Sequence, residues 1–199
     1  MKTLFMDSSH KHLMVVLFEN DEVKASIIEE CWKKQSEKLF PAVINAMNIA
    51  NFQVDDLDRI VVSVGPGSYT GVRIALSVAK VLGTMKHIEV YTLNTLQLYA
   101  GLNDRTFVLM DARSKRAYCA CYDQGKEILA PQVKTLDEIK QYIENNDVVV
   151  VGDNTLIDLE MVEVLFENNI KQLLPFAQKV DNIHNLVPCY LKESDAYGK

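Results

Sequence analysis

No stretch of the chain reaches eighteen uninterrupted apolar residues, so no membrane-spanning helix is expected. The beginning of the chain also lacks the long apolar region of a secretory signal, and the expected location is the cytoplasm. Cysteine is sparse. Cys31, Cys119, Cys121 and Cys189 are scattered, with no Cys-x-x-Cys pair to suggest zinc or a redox couple. Cys119 and Cys121 alternate along an expected strand and so share one face, which reads as two buried, reduced thiols. The histidines (His10, His12, His87, His184) form no His-x-x-x-His helix pair, and no metal centre is expected. Positive charge is short as well: a net charge of −6 and a pI near 5.2 argue against the chain alone as a principal nucleic-acid binder. Arg113, Lys115 and Arg116 form a local basic trio, whose plain reading is a solvated turn and whose other reading is a contact with tRNA or a partner.

What is present suits one domain or two small lobes: 199 residues, of which 48% are hydrophobic, enough for a real core. Residues 65–74 read Gly-Pro-Gly-Ser-Tyr-Thr-Gly-Val-Arg-Ile, between a strand-like run at 60–64 and a helix-like run over 70–85. In this turn Gly65 and Gly67 supply backbone freedom, Pro66 fixes its own φ, and Ser68 or Thr70 caps the helix that follows. A helix start of this kind is able to hold an anion. Yet Gly71 is followed by Val72, not the lysine of a P-loop, and Thr70 stands where a dinucleotide loop needs its third glycine. The turn from Gly65 through Tyr69 to Gly71 therefore reads as structural.

Residues 3–24 align on residues 107–128 without a gap. Leu4-Phe5-Met6-Asp7 falls on Val108-Leu109-Met110-Asp111, and the apolar runs 13–18 and 117–122 follow in step. Each copy reads strand, aspartate, hairpin, strand, hairpin, strand. Helices are expected over 36–50 and 70–85 with strands at 60–64 and 88–91 after the first copy; after the second come helices over 136–144 and 156–167 and a strand at 148–151. The layout resembles the actin, hexokinase and Hsp70 superfamily. That resemblance implies an α/β, actin-like (ASKHA, ribonuclease H-like), duplicated two-lobed fold of mixed sheets covered by helices. The lobes are expected at 1–103, carrying partner-binding helices, and 104–199, smaller and degenerate, with the boundary near 101–105.

Along the helix after the turn, Arg73, Ser77, Lys80 and Thr84 form one narrow polar stripe, and nearly everything else is apolar or small. Gly71, Ala75, Ala79 and Gly83 recur every fourth residue, so another backbone is able to approach closely. The helix over 36–50 is similar, with Leu39, Phe40, Val43, Ile44, Met47, Ile49 and Ala50 around most of its surface and Pro41 either in its first turns or at a kink. Two readings remain open: helices sandwiched within one core, or an exposed docking face.

The segment 65–74 closely resembles the signature of the TsaB (YeaZ) family. So do Met6-Asp7-Ser8-Ser9, Ser36-Glu37-Lys38-Leu39-Phe40-Pro41, Asp111-Ala112-Arg113 and Pro188-Cys189-Tyr190-Leu191, in the family's order along the whole chain. The resemblance implies a noncatalytic subunit, without cofactor, that binds the paralogue TsaD, with TsaE in a ternary complex, for threonylcarbamoyl transfer to the adenosine next to the tRNA anticodon. It implies contact with tRNA only indirectly and a homodimer in isolation through the same helices. Leu39, Phe40, Val43, Ile44, Met47, Val72, Arg73, Ala75, Leu76 and Ala79 are the expected interface. Three positions depart from the family pattern: Gln35 for a common histidine, Ala75 for a glycine and Tyr69 for a phenylalanine.

The rival reading is an ATP-binding kinase or ATPase of the actin superfamily. In it Asp7 organises magnesium, Ser8 and Ser9 form the phosphate hairpin, and Asp111 is a base or metal contact. The second hairpin carries Ala112-Arg113 where glycine and hydroxyl residues are needed, and Val151-Gly152-Asp153-Asn154 lacks the second glycine of an adenine loop. A glycoprotease-like peptidase, the third reading, finds neither zinc ligands nor a nucleophile beside a base.

Overall fold

The computed structural model describes residues 1–31 and 33–191. They fall into two compact units, Met1–Asn94 with Leu174–Pro188, and Thr95–Leu173, to which Cys189 also belongs.

The first unit is built on a six-stranded mixed sheet. Strands β1 (Lys2–Asp7), β2 (His12–Glu19) and β3 (Glu22–Glu30) form an antiparallel meander; β4 (Arg59–Ser63) and β5 (Glu89–Leu93) run parallel to β1, and β10 (Gln178–Lys179) adds an antiparallel edge. The order is β10-β5-β4-β1-β2-β3. Central β1 and β4 are buried on both faces, which explains why they read as nearly continuous apolar runs rather than alternating ones. Helices α1 (Gln35–Ala50) and α2 (Tyr69–Lys86) lie beside each other, α1 against β2 and β3 and α2 against β4 and β5. Leu4, Met6, Val15, Ala46, Met47, Ala75 and Leu76 share the core beneath them. Pro41 sits inside α1 and α1 continues through it to Asn51, which closes it in a left-handed conformation at φ 54°.

The second unit repeats the first with fewer strands. β6 (Thr106–Asp111), β7 (Arg116–Asp123) and β8 (Lys126–Thr135) form the meander, β9 (Val149–Gly152) pairs parallel with β6, and the order β8-β7-β6-β9 matches β3-β2-β1-β4. Both ends of β6 and β7 lie 104 residues beyond those of β1 and β2. The fold is the expected duplicated, actin-like α/β architecture. Helix α4 (Leu136–Glu144) starts at a Thr135–Glu138 capping box and covers a core of Phe107, Leu109, Ala117, Cys119, Cys121 and Ile139. Cys119 and Cys121 do share one buried face, and burial pushes the Cys119 thiol up to about 12.

In the second unit two elements differ from the sequence reading. The helix expected over 156–167 is instead a short 3-10 turn, Asn154–Ile157, an irregular stretch, and α5 (Phe166–Leu173). Asp158 leaves the turn at φ 63°, and the buried Asn154 side chain donates to both Val150 O (2.9 Å) and Glu160 O (2.8 Å), holding the next residues near β9. Leu159, Met161, Val162 and Leu165 are exposed, so a helix here has no surface on which to bury an apolar stripe. Short α3 (Thr95–Ala100) was not anticipated, because six residues are too few to show a period. It packs on β6 and α5, with Tyr99 edge-on to Phe166 at 4.8 Å. The polar stretch 101–105 follows α3, inside the second unit.

Candidate functional site

Two features of the first unit concentrate chemistry or surface: the junction between the β1–β2 hairpin and the signature turn, and the outward side of α1 and α2. At the junction, Asp7 ends β1 with no exposed surface. Its Oδ1 accepts from Ser9 N at 2.7 Å and from the Ser63 hydroxyl at 2.5 Å, whereas Oδ2 is buried with no hydrogen-bond partner among the described residues. Burial pushes the Asp7 carboxyl above its ordinary 3.8; the hydrogen bonds from Ser63 and Ser9 and the charge of His10 pull the other way. Ser63, at the end of β4, carries no local signal of this role, since it meets Asp7 only because β4 pairs with β1.

The signature turn lies directly on this hairpin. Ser68 N donates to Ser9 O at 2.7 Å, and the Ser8 hydroxyl donates to Gly71 O at 2.7 Å. A Cβ on Gly67 would stand 2.2 Å from Ser9 O, and one on Gly71 would stand 2.2 Å from Ser8 O. These two glycines are thus required by close approach of backbone to backbone. Gly65 is required by its conformation, with φ at 92°. Ser68 is the N-cap of α2 as expected, its hydroxyl accepting from Gly71 N at 3.3 Å. Ser8 and Ser9 are fully buried beneath the turn. The Ser8 hydroxyl, which the rival reading assigns to a phosphate, donates instead to Gly71 O at the chain's own helix start. Gln35 is drawn in too, with its buried amide donating to His10 O at 3.1 Å.

The matching aspartate of the second unit has a different setting. Asp111 Oδ1 accepts from Arg113 N at 2.7 Å, the same two-residue turn that Asp7 makes with Ser9, but Asp111 is exposed, and its own N–H donates to Asp153 at 2.8 Å. Of the four candidates, Asp7, Ser8 and Ser9 lie together in the first unit and Asp111 in the second.

On the helices, the structure places Leu39, Val43, Met47, Val72, Ala75, Leu76 and Ala79 in the core, where they offer no surface. The small stripe belongs to the fold itself: Gly71 rests on Ser8, and Gly83 faces Val90, Ile88 O and Ile183. Of the ten expected interface residues, Phe40 (57% exposed), Ile44 (49%) and Arg73 face outward. Sequence reasoning left out the partly buried Ile74, Val78 and Leu82 and the exposed Val81 and Met85, which recur at helical spacing along one flank of α2. The polar stripe runs beside that flank, with Ser77 four residues before Val81 and Thr84 three residues after it. There Arg73 stacks 4.9 Å from the Tyr69 ring centroid and donates to its hydroxyl, the partner that the extra hydroxyl of Tyr69 needs. Among the described residues no helix is long and apolar enough to cross a membrane, and no group of three ligating side chains is placed to hold a metal.

A family model described as TsaD, tRNA N6-adenosine threonylcarbamoyltransferase, matches residues 23–183. The chain is 29% identical to the tRNA threonylcarbamoyladenosine biosynthesis protein TsaB of Bacillus subtilis, over 100% of its own length and 97% of that protein. It is 23% identical to the protein of the same name from Buchnera aphidicola, over 87% and 86% of the two chains. The solved structure of YeaZ from Pseudomonas aeruginosa shares the fold, with a TM-score of 0.72 at 21% identity over 96% of this chain and 99% of the other.

Proposed function

The chain belongs to the family of the tRNA threonylcarbamoyltransferase TsaD, on its TsaB (YeaZ) branch, and from that premise we propose that it is the noncatalytic, assembling member of the machinery. It acts in the biosynthesis of threonylcarbamoyladenosine in tRNA, in the cytoplasm, by holding a TsaD-type enzyme, with TsaE as a third component, in the geometry for transfer.

The observation that carries this reading is the outward apolar side of α1 and α2. Phe40 and Ile44 are four residues apart and exposed on α1, and Val81 and Met85 are four residues apart and exposed on α2, beside the partly buried Ile74 and Val78. Two helices of 16 and 18 residues are about 24 and 27 Å long, and as a pair they offer a face on the scale of the roughly 800 Å² that each partner of a stable complex buries. Such a face left in water invites association, and a matching helix pair covers it as a four-helix bundle. The same face serves a second copy when no TsaD-type partner is present. The buried Asp7 and the self-occupied hairpin support a role without phosphoryl transfer, which needs free phosphate-holding groups and a metal.

The test is a binding titration against the TsaD-type partner. A charge at Val43, Met47, Val72 or Leu76 enters the core and reports on folding, so the informative substitutions are Phe40→Asp and Val81→Asp. Each is expected to leave the circular dichroism spectrum unchanged and to weaken association by about 30-fold or more, as for a truncated interface anchor. Two well-folded variants that bind as tightly as the parent would sink the reading.

A further inference from the structure

The β6–β7 hairpin tip is a motif that the assembly reading leaves unused. Its residues Arg113, Ser114 and Lys115 all have positive φ, at 63°, 56° and 55°, and all are exposed. Elsewhere among the described residues, positive φ in a non-glycine side chain occurs singly. The turn is held in this unfavourable form by Arg113 N donating to Asp111, by Ala112 N donating to Arg116 O and by Arg116 N donating to Arg113 O. The equivalent turn of the first unit, Ser9-His10-Lys11, has the same length and the same aspartate closure, yet none of its residues has positive φ and it is covered by the signature turn.

The two copies have diverged in chemistry as well. Where the first has the buried Ser9 and the partly buried Lys11 and His12, the second presents the exposed Arg113 and Lys115 and the half-buried Arg116. The second copy has thus gained an arginine at 113, an arginine for a histidine at 116 and a more exposed lysine at 115; no carboxylate of the described residues lies within ion-pair distance of these three. The nearby Asp111 and Asp153 accept from backbone N–H groups at the base of the turn. In a chain of net charge −6, three cations without ion pairs among the described residues, within four positions of one hairpin, make a local positive spot. An exposed turn suits an extended polyanion; a small nucleotide requires a concave site.

We propose that the β6–β7 tip, through Arg113, Lys115 and Arg116, holds the phosphate backbone of the RNA on which the machinery acts, so that this chain touches its tRNA directly. The proposal rests on the reading of this chain as a component of the tRNA-modifying assembly. The contact is electrostatic and positions the RNA without reading its sequence.

Fluorescence anisotropy with a labelled, unmodified tRNA transcript tests it, using the full chain alone and the full chain premixed with the TsaD-type partner. Three phosphate contacts give a slope of log affinity against log salt of about −2 to −3, so a fourfold rise in salt weakens binding by about 20- to 60-fold through these contacts. Arg113→Ala/Lys115→Ala/Arg116→Ala is expected to weaken tRNA binding about tenfold or more at low salt and to remove that share of the slope in whichever sample binds RNA. Arg113→Lys/Arg116→Lys and Ser114→Gly keep the charge and are expected to stay within about twofold of the parent. Unchanged affinity and slope in the triple variant, or absence of tRNA binding in both samples, overturns the proposal. So does a loss of affinity in Ser114→Gly equal to that of the triple variant, because the turn's shape would then matter and its charge would not. Titration with ATP and magnesium is the second arm: micromolar binding that the triple variant abolishes assigns the cations to a nucleotide and also overturns the proposal. Partner binding by the same triple variant separates the two readings, since it stays intact if only the RNA contact is mistaken and is missing from the parent if the assembly reading is.

Discussion

Substituting Gly71 by alanine sets two effects against each other. On helix propensity alone the change is favourable, by up to about 1 kcal/mol, because Gly71 is the third residue of α2. The new Cβ, however, meets Ser8 O at 2.2 Å, Ser68 Cβ at 3.2 Å and Ser8 C at 3.3 Å. The nearest of these is a backbone atom of a fully buried hairpin, so about 1 Å of movement has to come from the chain itself. Overpacking of this kind costs about 1 to 3 kcal/mol, and weakening the 2.7 Å bond from the Ser8 hydroxyl to Gly71 O adds about 1 kcal/mol. The clash wins, for a net loss of about 1 to 3 kcal/mol. Gly83→Ala is the matched control. Its Cβ meets the Ile183 tip (2.5 Å), which is able to rotate away, the stiffer buried Val90 methyl (2.8 Å) and Ile88 O at 3.2 Å, so the packing cost is smaller than at Gly71, where the 2.2 Å contact is to backbone, and the helix gain offsets more of it. Urea unfolding followed by circular dichroism measures both. At a slope of about 2 kcal/mol per molar urea, Gly71→Ala lowers the midpoint by about 1 M and Gly83→Ala moves it less. A midpoint for Gly71→Ala at or above that of the parent, or a larger loss for Gly83→Ala, would refute the argument that the signature glycines exist for contact with the hairpin.

Two further predictions follow from burial. Because the folded state raises the Asp7 pKa above its ordinary 3.8, the fold binds that proton more tightly than the unfolded chain does; the contribution is complete below pH 3.8, is lost as pH rises through the folded pKa, and is level above it. Asp7→Asn keeps an acceptor for Ser9 N and Ser63 and removes the charge, so in urea midpoints taken across pH it lacks this decline; an identical decline in variant and parent counts against the assignment. Asp7→Ala strands both donors and costs about 2 to 4 kcal/mol. In alkylation at pH 8 read by mass spectrometry, the half-buried Cys189 reacts before Cys119, whose thiol, pushed up to about 12, is thiolate in only about one molecule in ten thousand; equal labelling of the two in the folded protein contradicts the buried-thiol reading.

What the sequence by itself determined is the repeated framework. Strand, aspartate and hairpin recur at one constant offset, and both aspartates close their turns by the same bond to the residue two places on, because these interactions are local and follow from residue order alone. The polar and small stripes of α2 were legible for the same reason: spacing determines which residues share a stripe. Spacing does not say which stripe meets the sheet. Only tertiary structure turned Val72, Leu76, Val43 and Met47 inward and left Phe40, Ile44, Val81 and Met85 outside, because β4, β5 and the neighbouring helix offered an apolar surface to one side and nothing to the other. It also decided the fate of the two matching hairpins. The first lies beside β4, whose end supplies Ser63 and then the signature turn, and is buried by them. The second lies beside β9, followed by Asp153 and a short turn, so its tip stays in solvent with Arg113 and Lys115 exposed and Arg116 half-buried at the start of β7. Turns of equal length diverged because each one's environment is set by the strand that pairs beside it, which lies 56 residues away from Asp7 at Ser63 and 42 away from Asp111 at Asp153.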